Sequence, residues 1–150
     1  MIEKREPNLS LQYREMIQQF EHEIGQIQGA VHGDSEFAPL THMFAPGIYV
    51  RQIFLPKGSV CVGKIHRHEH PNFLMSGRVR VVTEDGGMEE LIAPMVMISP
   101  AKTKRAVYAL EDTVWVTCHA TNETDLDKIE EEVIAKTYEE LESKEMQWLG

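Results

Sequence analysis

The sequence predicts a mainly β protein with one helix at each end. Three observations support this. Short runs rich in β-branched residues follow one another between residues 47 and 121, with Pro and Gly at the turns. Apolar residues recur at helical spacing before and after this region. The length of 150 residues suits a single core. We therefore expect a helix and arm over residues 1–46, a β region over 47–121 and a helix over 122–150.

The N-terminal helix is expected from Ser10, which can cap it, to about Ile24. Its apolar stripe comprises Tyr13, Met16, Ile17, Phe20 and Ile24. This stripe should pack on the β region or on a second subunit. Residues 25–46 are less regular and are typical of a lid or an arm.

The predicted strands cover residues 48–55, 59–65, 78–83, 88–92, 95–98, 107–110 and 113–120. The Pro56-Lys57-Gly58 turn should join the first two as a hairpin. In the last strand, Trp115, Thr117 and His119 should share one face, because alternate residues of a strand point the same way.

The C-terminal helix should begin near Thr124 and continue through most of the remaining chain. The pattern around Thr124 resembles a capping box, with acidic residues in the first turn. The expected buried stripe comprises Leu126, Ile129, Val133, Ile134, Tyr138 and Leu141.

Composition excludes some functions. A formal charge of -9 argues against a general nucleic-acid binder, which would need a basic face. Cys61 and Cys118 lack metal or redox spacing and are interpreted as reduced thiols. No apolar run reaches membrane-spanning length, and the N-terminus lacks a signal-like segment. We therefore expect a cytoplasmic protein without a membrane partner.

Three of the seven histidines stand within five residues, in His66-Arg67-His68-Glu69-His70. They follow the predicted strand 59–65. On a continuing strand His66 and His68 would project from one face as a pair of metal ligands. Pro71 should end the strand, which leaves His70 outside the pair.

These residues resemble a known pattern. Gly63, His66, His68, Asn72 and Gly77 are similar to the first motif of the cupins, in which a carboxylate usually stands at the Asn72 position. The segment 100–105 resembles the second motif. There Lys102 replaces a glycine, and Arg105 replaces the third histidine ligand.

The resemblance spans about half of the chain and implies a fold: a single cupin double-stranded β-helix barrel with flanking helices. More loosely, the chain resembles small cupin-like proteins encoded by bacteriophages. A phage-encoded protein would act in the host cytoplasm.

Three interpretations of the histidines stay open. A divalent metal (Fe, Mn, Zn or Ni) could be held by His66, His68 and His119, with His119 replacing the missing third ligand. Alternatively, the site is metal-free and Arg105 binds a carboxylate or phosphate. In the third interpretation, the histidines only support the barrel wall. Because the H-x-H pair lies inside such a motif, we favour the metal interpretation over the other two.

The remaining candidates concern a small anionic molecule. Lys102, Lys104 and Arg105 form a basic cluster that could attract it, although such clusters are more often solvated turns. Asn72 could contact metal or ligand, and Tyr108 or Trp115 could stack on a planar group.

We expect a homodimer, because the helices and arm offer more apolar surface than a small barrel can cover. The function hypotheses are a metal-dependent enzyme, a module that sequesters an anion such as a nucleotide signal, and an assembly protein.

Overall fold

The computed structural model describes residues 7–26, 38–84 and 87–141, and it is mainly β. The longer helices among these residues are α1 (Pro7–Gly25) and α2 (Leu126–Val133). The strands are β1 (Leu40–Ala45), β2 (Ile48–Leu55), β3 (Val60–Val62), β4 (Ile65–His66), β5 (His70–Ser76), β6 (Arg78–Thr83), β7 (Gly87–Ile92), β8 (Met95–Ser99), β9 (Arg105–Ala109), β10 (Thr113–Ala120) and β11 (Ile134–Ala135).

The strands form two main antiparallel sheets. Sheet A has the order β1-β2-β10-β5-β8, and sheet B has the order β3-β9-β6-β7. A third, two-stranded sheet pairs β11 with β4. The main core draws buried residues from both large sheets, which therefore face each other: Leu55, Leu74, Val79, Val81, Leu91, Val107, Ala109 and Trp115. The predicted mainly β fold is confirmed.

Most predicted strands are present. The bounds of β2, β6 and β10 agree with the sequence pattern residue for residue. The predicted strand 59–65 is divided, because β3 joins sheet B whereas β4 pairs with β11. Strand β1 was not predicted, although its neighbour β2 was. Residues 27–37 of the predicted arm lie outside the described residues.

Pro71 does not end a strand, and that prediction was wrong. It is the second residue of β5, where it faces outward and lies opposite Ile98 of β8. A proline is tolerated near the start of a strand, where few ladder hydrogen bonds depend on its nitrogen. Strand β5 therefore carries His70 and Asn72, both buried, into the interior.

Two motif positions have left-handed backbones. Gly77 has φ +94°, and an added Cβ would lie 2.4 Å from the carbonyl oxygen of Asp112. This close approach requires glycine. Lys102 has φ 69°, so it keeps the conformation that suits the glycine it replaces.

Helix α1 packs on the outer face of sheet B. Ile17 is buried there, and Lys104 of the barrel forms an ion pair of 2.8 Å with Glu21. The predicted stripe is only partly buried, since Met16 and Phe20 are 48% and 38% exposed. None of the described helices is long and apolar enough to cross a membrane.

The predicted C-terminal helix is present but interrupted: residues 126–133 and 138–141 are helical, and residues 142–150 lie outside the described residues. Asp125 caps α2, which ends at Val133, and Ile134 and Ala135 then pair with His66 and Ile65. The β-branched Ile134 is extended because it pairs with the edge of β4. Another helical turn would not form these backbone hydrogen bonds. Most of the predicted stripe is buried as expected, but Leu126 is 42% exposed.

Candidate functional site

Three histidines converge at one end of the barrel: His66, His70 and His119. His66 ends β4, His70 begins β5, and His119 lies near the end of β10, which pairs with β5. One ring nitrogen from each lies within 4.8 Å of the others. The ring centroids are 4.3 Å (66–70), 4.8 Å (70–119) and 5.5 Å (66–119) apart.

His68 does not belong to this group. Strand β4 stops at His66, residues 67–69 form a bend, and His68 is exposed. The expectation that His66 and His68 share a strand face was therefore wrong, since the rule of alternation holds only while the backbone stays extended. His70 takes its place. The sequence contained a signal for His70, because a strand resuming at residue 70 puts it on the same face as Asn72.

One nitrogen of His70 has no partner. The side chain is 2% exposed, and its Nδ1 lies 3.1 Å from the carbonyl oxygen of His68. A carbonyl only accepts, so Nδ1 carries the proton and Nε2 is left with a lone pair. Nε2 is buried and makes no hydrogen bond to the described residues. A buried polar atom in this state calls for a ligand.

The three imidazoles are neutral at physiological pH. Burial, followed by the neighbouring histidines and arginines, lowers the pKa of His66 to about 2. Burial and then His70 lower the pKa of His119 to about 4. Burial is also the main cause that lowers the pKa of His70. Neutral imidazole is the form that coordinates metal ions.

Two arginines lie beside the histidines. Arg105 lies near Trp115, with its guanidinium carbon 5.8 Å from the ring centroid, and its charge acts on His66 and His70. Arg51 projects from the inner face of β2, and its charge acts on His66 and His119. Among the described residues, no carboxylate lies within salt-bridge distance of either arginine. The alternation of β2 could have indicated Arg51, which was overlooked.

Asn72 has structural partners. Its amide nitrogen donates to Ser99 Oγ at 2.6 Å, and its amide oxygen accepts from Trp115 Nε1 at 2.9 Å. The residue is 1% exposed. The Asn72 side chain therefore fixes the indole of Trp115 below the histidines, which a carboxylate at this position would also have to do.

The predicted basic cluster is divided among three surroundings. Arg105 faces the interior, Lys102 is exposed, and Lys104 is buried against helix α1 through Glu21. Tyr108 lies on the outer face of β9 and is 41% exposed. Arg105 acts on the histidines through its charge, and the Lys102 backbone N–H donates to the His66 carbonyl at 2.7 Å. Lys104 is turned toward α1 instead, so the three cations do not form the single gate that was expected.

The cysteines do not supply a nucleophile here. Both are unpaired thiols, as predicted. Burial raises the pKa of Cys61 to about 11, so its thiol stays protonated at neutral pH.

The donor set fits a divalent transition metal. In a tetrahedral site with metal–nitrogen bonds of about 2.05 Å, the ligand nitrogens lie about 3.3 Å apart. The three nitrogens lie within 4.8 Å of one another, so side-chain rotations that move the nitrogens by about an ångström would assemble the site. Imidazole ligands suit Zn, Fe and Ni, and the orphaned Nε2 supplies the lone pair. Arg105 cannot ligate, because it stays protonated.

Comparison with known proteins agrees with the fold. KdgF from Halomonas sp. superposes with a TM-score of 0.51 at 17% identity, over 64% of this chain and 90% of that one. An RmlC-like cupin from Shewanella frigidimarina gives 0.51 at 17% identity, over 66% and 89%. No family model and no curated protein matches the sequence. Identity this low establishes the cupin fold alone, which confirms the barrel that the motifs implied.

Proposed function

We propose that this cupin-fold protein binds a divalent metal through His66, His70 and His119 and uses it to bind or transform a small anionic metabolite. The observation that carries the proposal is the buried Nε2 of His70, which has a lone pair and no partner among the described residues. It lies in a group of three neutral imidazoles, so a metal ion would satisfy it without displacing a proton.

The arginines favour an anion. Two half-buried guanidinium groups beside a dication would repel it. The charge of Glu89 acts on Arg105, but no described carboxylate lies within salt-bridge distance of either arginine. A carboxylate or phosphate bound between the metal and the arginines would remove this repulsion. Arg105 and Arg51 would then orient the ligand, since guanidinium groups match the geometry of such anions.

The chain's own residues prepare the site for chemistry. The backbone carbonyl of His68 fixes the tautomer of His70, and Thr117 Oγ1 lies 3.2 Å from Nε2 of His119. Such outer partners orient metal ligands. When bound, the metal would supply Lewis acidity. The pairing of β11 with β4 places the C-terminal segment beside His66.

The metal proposal predicts a contrast between two neighbouring histidines. His70→Gln should lower the affinity for Zn²⁺ at least about 10-fold, because it removes the unpartnered ligand nitrogen. His68→Gln should leave the affinity unchanged, since His68 is exposed outside the group. Isothermal titration of untagged, chelator-treated protein with Zn²⁺ or Ni²⁺ measures both.

Circular dichroism would show that the His70→Gln variant remains folded. Equal loss in both variants would show that His68 is also a ligand, as in the set His66, His68 and His119 expected from the sequence. Undiminished affinity in His70→Gln would reject the site proposed here, as would the absence of metal binding by the wild-type protein.

The anion proposal predicts that Arg105→Gln weakens binding of a phosphate or carboxylate probe about 10-fold or more, because a charged hydrogen bond is lost. Arg80→Gln is the matched control, since Arg80 is exposed on the outer face of sheet B. Titrations of the wild-type protein and both variants with inorganic phosphate measure the affinities. Equal affinities in the two variants would contradict a role for Arg105.

The same arginines support a second candidate, a non-catalytic module that sequesters an anion such as a nucleotide signal. Arg51 and Arg105 with neutral imidazole donors could hold an anion without any metal. Native mass spectrometry of untagged protein distinguishes the two. An intact small molecule without metal favours the module, whereas bound metal and turnover of the recovered molecule favour the enzyme.

A further inference from the structure

The outer face of sheet A carries no charged side chain. Alternation and the strand registers place 16 residues on it. Apart from Thr41 and Gln52, these residues are apolar, cysteine included. We call this set the apolar face, and it comprises Thr41, Met43, Ala45, Ile48, Val50, Gln52, Phe54, Pro71, Phe73, Met75, Val96, Ile98, Val114, Val116, Cys118 and Ala120.

A solvated face of an antiparallel sheet normally carries polar residues. Sheet B obeys this rule: its outer face carries Arg78, Arg80 and Glu90, and it is additionally packed by helix α1. The chain is 26% charged overall, so 16 neighbouring positions without one charge form a distinct surface. Residues of this composition are expected to be covered.

Several of these side chains are well exposed in the single chain. Val96 is 65%, Met75 is 59% and Ile98 is 58% exposed, and all three lie on β5 and β8 at one side of the face. Met43 and Ile48, on the other side, are 45% and 38% exposed. The helices pack elsewhere, with α1 on sheet B and α2 against Tyr49 and β11.

We propose that a second copy of this chain packs face to face on the apolar face, forming a two-fold symmetric dimer. Two chains of charge -9 repel one another wherever their acidic surfaces meet, so a second copy would have to use an uncharged surface such as this one. On a two-fold axis the same patch meets itself, so the absence of charge removes any like-charge contact.

The size of the face is adequate for such a dimer. Five strands about 4.8 Å apart make it about 24 Å wide, and strands of five to eight residues make it about 20 Å long. The flat area is about 500 Å², and the relief of the side chains increases the area that contact would bury. A standard interface buries about 800 Å² per partner, which is the same order.

This surface differs from the one that the sequence suggested for dimerisation. Helix α1 uses its buried side on sheet B, where Ile17 and the Lys104–Glu21 ion pair hold it. The dimer proposed here leaves α1 and the histidine end of the barrel outside the interface. It is therefore independent of the proposed function.

The test is the mass of the full chain in solution. We expect sedimentation equilibrium at about 20 µM to give twice the 17.2 kDa of one chain. The double variant V96K/I98K should raise the dissociation constant at least about 100-fold, since the symmetric interface would bury four unpaired charges. Both residues are exposed in one chain, so the fold should tolerate the change.

Met88→Lys is the matched control. Met88 is apolar and 66% exposed, but it lies on β7 of sheet B, outside the apolar face. This variant should remain dimeric. A monomeric wild-type protein would overturn the proposal, and a segment of the same chain would then cover the face. A dimer that survives V96K/I98K would also overturn it, because another surface would hold the copies together.

Maleimide labelling gives a second measurement. Cys118 lies on the apolar face in β10, the central strand of sheet A, whereas Cys61 packs against the core. Cys118 should react at least about 10-fold more slowly in the wild-type dimer than in the V96K/I98K monomer. Equal rates in the two proteins would contradict burial of the central strand.

Discussion

Neutral imidazoles and arginines share one end of the barrel interior, and burial determines their charge. His66, His70 and His119 give up their protons because water no longer stabilises the imidazolium form. Burial also lowers the pKa of Arg105 from its ordinary value. The site therefore depends on depth within the barrel as much as on residue type.

His119 should make the stability of the metal-free protein depend on pH. Its pKa is about 4 in the folded chain against an ordinary value of 6.5, so the unfolded chain binds the proton first as pH falls. The contribution of His119 should be complete above about pH 6.5 and decrease by about 3 kcal/mol as pH falls to about 4, and His66 and His70, whose pKa values are also lowered, should add to the decrease over the same interval. Urea unfolding at pH 7.0 and 4.5 measures the decrease.

His119→Gln should show a smaller decrease over this interval than the wild-type protein. His68→Gln serves as the control, because His68 is exposed. Identical pH dependence in wild type and His119→Gln would show that His119 is protonated in the folded state.

At the scale of elements, the turn between β5 and β6 decides how the two main sheets are connected. Gly77 links His70–Ser76 of sheet A to Arg78–Thr83 of sheet B, and its backbone presses against residues 112 and 113. The turn also accounts for the second glycine of the motif. The first motif glycine, Gly63, has no such constraint, since an added Cβ would make only an ordinary 3.7 Å contact.

Gly77→Ala should therefore destabilise the protein by about 3 kcal/mol or more. The new Cβ would lie 2.3 Å from Thr113 Oγ1 and 2.4 Å from the Asp112 carbonyl, in a backbone with φ +94°. Gly58→Ala is the matched control: φ is +84°, but no atom lies within 4 Å. It should cost only about 1 kcal/mol. Urea midpoints measure both, and equal losses would contradict the steric argument.

At the scale of the whole molecule, three surfaces have different surroundings. Sheet A presents an uncharged face, sheet B is packed by α1, and the barrel end near the histidines lies beside the C-terminal segment. The C-terminal segment is tied to this end through Arg67, whose Nε donates to the Ile134 carbonyl and whose Nη2 donates to Glu140. Different surfaces can therefore serve ligand binding and association.

The attachment of α1 to the barrel gives a prediction at this scale. Lys104 has 8% side-chain exposure and is paired with Glu21, which is 46% exposed. Glu21→Gln should cost about 1–2 kcal/mol, because it leaves a buried ammonium group without its counter-charge. Lys104→Met should be nearly neutral, since it removes the buried charge itself. Thermal unfolding measures both, and a larger loss for Lys104→Met would refute the argument.

Most of the strands could be predicted from the amino-acid pattern alone. The alternation that marks β2, β6 and β10 is a local property, because it depends on which face of one strand is buried. The cupin barrel was implied by the resemblance of Gly63, the histidines and Gly77 to the first cupin motif. Cys61 and Cys118 were also interpreted correctly as unpaired thiols.

Which side chains meet depends on contacts between residues that are distant in the sequence. His70 replaces His68 because a bend at 67–69 interrupts the strand, and Lys104 leaves the predicted gate because α1 offers it Glu21. The C-terminal helix ends at Val133 because β4 offers Ile134 a strand partner. In each case a contact with a residue distant in the sequence overrides a local preference. Burial and backbone pairing outweigh the small energies of local propensity.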